Sequence, residues 1–282
     1  MITCTIAKDI AETDGYVLFD GSIGGSHYAQ HDFTDEDITK IELVVKDAQI
    51  YVYGGAERSY AEFFNFREDL YTLSSSGQIL SFDEIPDLDS LLNFKSGFSF
   101  SGMRYILRRG GQSAAQRRIN IYVTSQDTSL KVINVTGDNC TVYIDRLINQ
   151  CDVYVNAKKS VVLHASELLS NCSLIVTAAE SASLNVNSST LHALTVSADH
   201  GDINAQQLYF TALDLTMNTG ASQITTSVPT DACDINLDSG RGTVRIGDQT
   251  LPRPTEHLAE LALASIRFSS PEASLTITSI GE

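Results

Sequence analysis

Short apolar segments with alternating polar positions recur through the second half of the chain. Each segment is five residues long, and its apolar side chains lie two positions apart, which is typical of half-buried strands. The segments return about every 20 residues, which is the signature of a repeat architecture. The members of this first series are residues 151–155, 172–176, 192–196, 211–215 and 233–237.

A second apolar series interleaves with the first at the same period. Its members are Val142/Ile144, Val161/Leu163, Leu184/Val186, Ile203/Ala205, Ile224/Thr226 and Val244/Ile246. A looser set of aliphatic residues follows these pairs at Leu147, Leu168, Leu191, Leu208, Val228 and Leu251. One short strand cannot bury its apolar side alone, so the repetition predicts coils stacked at about 4.8 Å.

The two series predict an all-β fold. We expect a β-solenoid, similar to a parallel β-helix with about 20 residues per coil. Regularly spaced strands would also fit an ordinary antiparallel sandwich. At the C-terminal end, Leu258, Leu261 and Ala262 have helical spacing and predict a capping helix over residues 256–266. Residues 274–279 then form a predicted closing strand.

The first half of the chain differs from the second in its residue pattern and aromatic content. Alternation at Ile41, Leu43 and Val45 predicts a strand, and 17 of the 22 Phe and Tyr residues lie before Lys131. We therefore expect an N-terminal antiparallel β region or cap at residues 1–130. The repeat domain with its C-terminal cap is expected at residues 131–282.

Charge and hydropathy narrow the possible partners of the 282-residue chain. The formal net charge is −16, which repels phosphate backbones and makes a nucleic-acid partner unfavourable. No apolar run approaches the ~20 residues that cross a bilayer, so no membrane insertion by this chain is expected. The first residues lack the pattern of a signal peptide. We expect the chain itself to be soluble.

Three segments carry a resemblance to a known family. They are the entry strand pair at residues 38–45 and 48–53, the bridging strand at residues 119–123, and the Gly-Asp-Ile type strand at residues 201–205. From about residue 38 onward the chain resembles the bacterial putative-adhesin family of β-strand-repeat proteins of unknown function. The resemblance implies a β-solenoid, often with a membrane anchor, located outside the cell or in the cell envelope. It transfers no binding residue to this chain.

The cysteines are the strongest candidates for a disulfide or a metal site. Aligning the coils places Cys151, Cys172, His192, Thr211 and Cys233 in one column, two residues before the inward aliphatic. At about 4.8 Å between neighbours, Cys151 and Cys172 are near enough for a disulfide, or for a metal shared with His192. Inward cysteine also serves as a small apolar filler, which is the interpretation we favour.

Other ligand patterns are weaker. His27 and His31 have the i, i+4 spacing of a helical metal pair, but Gly24-Gly25-Ser26 before them favours a loop. The run Asp35-Glu36-Asp37 offers oxygen ligands for calcium but has no EF-hand spacing, so a solvated turn is expected. We assign no catalytic, cofactor-binding or metal residue, and we expect no cofactor.

Function is therefore predicted only by class. We expect a non-catalytic structural or interaction module, adhesin-like and associated with the cell envelope, whose partner is an unknown protein or glycan. The alternatives are a carbohydrate-active β-helix enzyme and an intracellular scaffold related to envelope stress. Carboxylates at outward strand positions are dispersed, without a basic residue close by, which speaks against glycan cleavage and against an enzyme.

Overall fold

A single mixed sheet of sixteen strands dominates the protein. The computed structural model describes residues 28–64, 66, 71–84, 117–147, 150–169 and 171–280, and these residues contain no α-helix. The strands are β1 (Tyr28–Asp32), β2 (Lys40–Ala56), β3 (Tyr60–Phe64), β4 (Tyr71–Ser76), β5 (Ile79–Glu84), β6 (Arg118–Thr124), β7 (Val132–Asp145), β8 (Asp152–Ser166), β9 (Cys172–Ala178), β10 (Ser181–Thr226), β11 (Cys233–Leu237), β12 (Val244–Ile246), β13 (Gln249–Leu251), β14 (Thr255–His257), β15 (Ala264–Ser269) and β16 (Ser274–Ser279). The all-β prediction is confirmed.

Parallel pairing links the repeats of the first series. Val153 of β8 lies opposite Leu174 of β9, and Leu174 lies opposite Leu194 of β10. The same row continues through Ile133 of β7 to Ile41 of β2. All five side chains are buried. Burying each aliphatic side chain contributes about 1.5–3 kcal/mol, so the aligned rows form the core.

The second series has a different register from the predicted one. Val142 lies opposite Leu163, and Leu163 lies opposite Leu184, whereas Val161 lies opposite Cys140. The predicted alignment of Val142 with Val161 is therefore wrong by two residues. A slip of two residues keeps every side chain on its own face, so alternation alone does not fix the register.

The N-terminal region is antiparallel only at its outer strands. β1 pairs antiparallel with β3, β3 with β6, and β4 with β5. β2, however, runs parallel to β5, β6 and β7, so the predicted antiparallel region is wrong for this strand. The period of a strand carries no information on its direction. The division into residues 1–130 and 131–282 stays a prediction.

The C-terminal strands lie inside the sheet rather than at its end. Leu213 of β10 lies opposite Ile266 of β15, and Ile266 lies opposite Ile235 of β11. β16 likewise lies between β10 and β12. The prediction that residues 233–237 stack directly on residues 211–215 is therefore wrong, and residues 274–279 form a strand that does not close the sheet. Equivalent apolar strands stack equally well in either order.

The predicted capping helix over residues 256–266 is also wrong. This segment contains β14, a turn and the start of β15. Leu258 and Leu261 are 72% and 84% exposed, so their helical spacing marks no buried stripe. From Ala264 onward the burial alternates, which is the period of a strand.

Candidate binding face

Outward side chains on neighbouring strands form an aromatic cluster, which we call the tyrosine face. It consists of Tyr51, Tyr53, Tyr60, Tyr122 and Tyr143, together with His164. In one row the ring centroids of Tyr51 and Tyr143 are 4.6 Å apart, and those of Tyr143 and His164 are 5.0 Å apart. In the second row Tyr60 and Tyr122 are 4.4 Å apart, and Tyr122 and Tyr53 are 5.1 Å apart.

Sheet geometry explains why these rings stack. Tyr51 lies opposite Tyr143, and Tyr143 lies opposite His164, so equivalent outward positions follow one another across the sheet. Strands are about 4.8 Å apart, a separation at which aromatic rings attract each other. The two planes at Tyr51 and Tyr143 differ by only 8°. The rings therefore cover one another's faces.

Charged side chains lie at the edge of the tyrosine face and affect its rings. The guanidinium carbon of Arg118 lies 4.5 Å from the ring centroid of Phe64 and 5.8 Å from that of Tyr51. Partial burial, followed by the negative charge of Glu62, raises the pKa of Tyr122 above its usual value. Burial is also the largest cause of the raised pKa of Tyr53. These phenols therefore remain protonated hydrogen-bond donors at neutral pH.

A groove of about 340 Å³ runs beside the stacked rings. One wall follows the row Tyr143, His164 and Asn185, and the other follows the row Asp145, Ser166 and Asn187. We call it the polar groove, and these six residues define it.

Hydrogen bonds inside the polar groove leave one acceptor unused. Ser166 Oγ donates to Asp145 Oδ1 at 2.8 Å, and Arg146 Nε lies 3.1 Å from Asp145 Oδ2. Asn185 Oδ1, in contrast, is buried and has no hydrogen-bond partner among the described residues. A buried acceptor without a donor is costly, so the Asn185 amide would gain free energy by turning this oxygen towards a donor in the groove.

A second groove of about 360 Å³ continues the polar surface. It shares His164 and Asn185 with the polar groove and extends to Asp202, Asn204 and Gln223. The outer surface therefore changes from tyrosine to amide and hydroxyl side chains along the stack.

Buried cysteines fill the interior, as the favoured interpretation predicts. Cys151 and Cys172 are buried and form no disulfide, so the disulfide interpretation is wrong. Burial raises the pKa of Cys151 well above its usual value and raises that of Cys233 to about 11, because a buried thiolate loses its hydration. These thiols act as apolar side chains.

A β-bulge displaces His192 from the column that contains Cys151 and Cys172. Leu191, and not His192, lies opposite Cys172, and the register shifts between Leu191 and Ala193. His192 is exposed, so the metal interpretation of this column is wrong. At the other end Cys233 lies opposite Ala264 of the inserted strand. Within the described ranges, no three His, Cys, Asp or Glu side chains come together as a metal site.

The remaining sequence candidates lie apart from the tyrosine face. His27 is outside the described residues, and His31 lies in a strand, with Nε2 3.4 Å from Glu36 Oε1. Asp35 and Asp37 are exposed in a turn, whereas Glu36 accepts a hydrogen bond from Ser75.

Sequence reasoning missed one polar cluster on the surface. His200 Nδ1 lies 3.1 Å from Thr219 Oγ1, and its Nε2 lies 3.0 Å from Asp202 Oδ2. The order of hydroxyl, imidazole and carboxylate is that of a nucleophile with its base. Both charged partners are exposed, so water competes for these bonds, and we assign the cluster no catalytic role.

No protein-family model and no curated protein matches the chain. It is similar in structure to a putative cell adhesion protein from Clostridium sporogenes, with 9% identity and a TM-score of 0.40, over 91% of this chain and 100% of that one.

Two putative adhesins are also similar to the chain. The one from Parabacteroides merdae has 12% identity and a TM-score of 0.26, over 91% of this chain and 94% of that one. The one from Parabacteroides distasonis has 13% identity and a TM-score of 0.31, over 92% and 95% respectively. The structural neighbours are thus named as two putative adhesins and a putative cell adhesion protein.

Helices long and apolar enough to cross a membrane are not found among the described residues.

Proposed function

We propose that the chain is a non-catalytic, adhesin-like interaction module whose tyrosine face is its binding surface. The observation that carries the proposal is a row of stacked, half-buried tyrosines beside a groove that holds an unused hydrogen-bond acceptor. Tyrosine is enriched at binding surfaces because it offers a large contact area with a polar group and few rotatable bonds.

The scaffold in this proposal is a β-solenoid. Parallel strands in register, with side chains that alternate between core and solvent, support coils of about 20 residues. We further propose that residues 1–130 contain the N-terminal cap with the first coil, and that residues 131–282 contain the remaining coils. A rigid stack of this kind holds outward side chains at fixed spacing, which suits a binding face.

Location outside the cell or in the cell envelope completes the proposal. It is supported by the sequence resemblance to a family that often presents its repeats outward. The net charge of −16 is compatible with binding to uncharged or cationic partners. The partner is a protein or a glycan.

Capture from cell-envelope fractions of the encoding organism tests the proposal. The chain is immobilised, and the bound material is compared with that retained by the variant Tyr51→Ser/Tyr143→Ser, which removes two adjacent rings. Because these side chains point outward, the fold should persist, which circular dichroism checks. The expected result is loss of specific capture by the double variant.

A matched control lies on other outward positions of the same stack. Tyr154 is half-buried and lies opposite Asn134 and Ile175, away from the tyrosine face. Tyr154→Ser removes an equivalent ring and should leave capture unchanged. Equal capture by wild type, the double variant and Tyr154→Ser would refute the tyrosine face as the binding surface.

A further inference from the structure

We propose that the polar groove binds an uncharged, polyhydroxylated chain, that is, a neutral linear glycan. The inference rests on the proposed function and names the ligand class of the same surface. The groove belongs to the outer side of β7, β8 and β10, beside the tyrosine face.

Backbone groups on this surface are already used in the sheet. β8 is paired with β7 on one side and with β9 and β10 on the other. An extended peptide therefore cannot add to this surface as a new strand, which is the usual way in which sheets bind peptides. Recognition here depends on side chains alone.

The side chains suit hydroxyl groups. Asn185 and Asn187 each offer an amide donor and a carbonyl acceptor, and Ser166 offers a hydroxyl. A sugar hydroxyl both donates and accepts, so it can satisfy Asn185 Oδ1, which lacks a donor among the described residues, once the amide turns towards the groove. A ligand with only acceptor groups would leave this atom unsatisfied.

Spacing and shape favour a regular polymer over an irregular ligand. The two walls repeat at each strand, about 4.8 Å apart, so similar polar groups recur along the groove. A linear glycan presents its hydroxyl groups at a comparable repeat. One face of the His164 ring is covered by Tyr143, and the next position along its row is Asn185.

Charge excludes acidic glycans. Asp145 lies in one wall of the groove, and the nearby Arg146 is paired with this carboxylate. The molecule as a whole carries a net charge of −16. A polyanion would meet repulsion both locally and at long range.

Binding is tested by titration calorimetry with defined polysaccharides. The probes are the neutral chains dextran, β-glucan and mannan, and the acidic chain polygalacturonate. At least one neutral chain should bind, and polygalacturonate should not. Asn185→Ala should weaken the neutral interaction by about ten-fold, the effect of losing one good hydrogen bond. Binding of polygalacturonate alone, or of none of the four, would overturn the glycan inference.

Further variants distinguish loss of the binding site from a change of fold. Ser166→Ala and Asn187→Ala lie in the opposite wall and should each weaken binding several-fold, whereas Tyr154→Ser should have no effect. Unchanged affinity in all three groove variants would refute the groove as the site.

Failure of the inference can be separated from failure of the proposed function. Envelope fractions are treated with protease or with periodate, which oxidises sugars, before capture. In one outcome, capture depends on Tyr51 and Tyr143 and is lost only after protease treatment. That result would show that the ligand is a protein and not a glycan, and it would leave the tyrosine face as the binding surface. Absence of any capture that depends on these tyrosines would refute the proposed function as well.

Discussion

Cysteine at inward positions of the sheet illustrates how one side chain depends on its surroundings. Cys140, Cys151, Cys172 and Cys233 are buried and form no disulfide. A thiol tolerates burial because it is weakly polar, whereas the thiolate does not. Closed packing makes all four residues inert towards electrophiles, and the raised pKa of Cys151 and of Cys233 adds to this by keeping their thiolate populations low.

Thiol labelling tests this interpretation. In the background Cys4→Ser, which removes the cysteine outside the described residues, a disulfide reagent at pH 8 should modify none of the four thiols in the native protein. All four should react after unfolding in guanidinium, as counted by mass spectrometry. Rapid modification of native Cys151 or Cys172 would contradict the buried placement.

The raised pKa of Cys233 also predicts how the stability of the protein depends on pH. The pKa of this thiol rises from 9.0 to about 11 on folding. Between these values the unfolded chain loses the proton while the native protein retains it, so the free energy of unfolding should fall as the pH rises from 9 to 11. Urea unfolding at several pH values measures the slope, and Cys233→Ala should flatten it. An equal slope in the variant would exclude this thiol as the cause.

At the scale of the element, corners with a left-handed residue recur about every 20 residues. Arg146, Glu167, Ser188 and Gln207 all have φ between +46° and +53°, the left-handed region. Each is followed by a buried residue: Leu147, Leu168, Ser189 and Leu208. The structure thus replaces Leu191 by Ser189 in the predicted set of corner residues.

Substitution at an exposed corner should reveal the energetic cost of the left-handed backbone conformation. Glu167→Val should lower the free energy of unfolding by about 1–2 kcal/mol, because a β-branched residue is disfavoured in the left-handed region. Glu167→Gly should change it by less, since glycine adopts this conformation freely but gains more entropy in the unfolded chain. Chemical unfolding measures both. A Val variant as stable as the Gly variant would contradict the conformational argument.

A buried ion pair links β5 to the residue before β6. Arg117 Nη1 contacts Glu84 Oε1, and Glu84 Oε2 accepts a hydrogen bond from the backbone of Lys46 at 2.6 Å. Glu84→Ala should destabilise the protein by about 3–5 kcal/mol, because it leaves the buried guanidinium without its carboxylate. The double variant Glu84→Ala/Arg117→Ala should lose less than the sum of the single variants. Additive losses in thermal unfolding would rule out direct coupling.

Strand existence and the stacking of the first three first-series strands were predictable from the sequence, whereas the register of the second series and the partners of the C-terminal strands were not. The alternation around Val153, Leu174 and Leu194 is a local signal, and these residues do form one row. Register needs further information, because moving Val142 from Val161 to Leu163 keeps every residue on its face. The bulge that exposes His192 leaves no mark in a five-residue pattern.

The tyrosine face was only partly visible in the sequence. The excess of aromatic residues before Lys131 was evident, and Tyr143 lies at an outward position of the second series. The pairing of β2 with β6 and β7 brings these residues together. No local pattern predicts that pairing, because it joins strands far apart in the chain. With its direction and register known, Tyr51 and Tyr143 would have been recognised as neighbours.

On the scale of the whole molecule, the inserted C-terminal strands change what a truncation does. In a simple stack, each coil contacts only its neighbours, so removal of the last coil exposes a new end and leaves the rest intact. Here β15 separates β10 from β11, and β16 separates β10 from β12. The last strands in sequence therefore hold together strands that precede them.

Deletion of residues 264–282 tests this arrangement. The shortened chain should lose the pairing of β11 and β12 with the rest of the sheet, and the apolar edge of β10 should become exposed, which favours aggregation. We expect a large drop in soluble yield and in the unfolding temperature. As a matched control, replacing the exposed Leu258 and Leu261 by Ser should leave both quantities unchanged, since these side chains contribute little burial. A soluble truncated chain with the unfolding temperature of the full protein would mean that residues 233–246 stack directly on β10, as in a simple sequential solenoid.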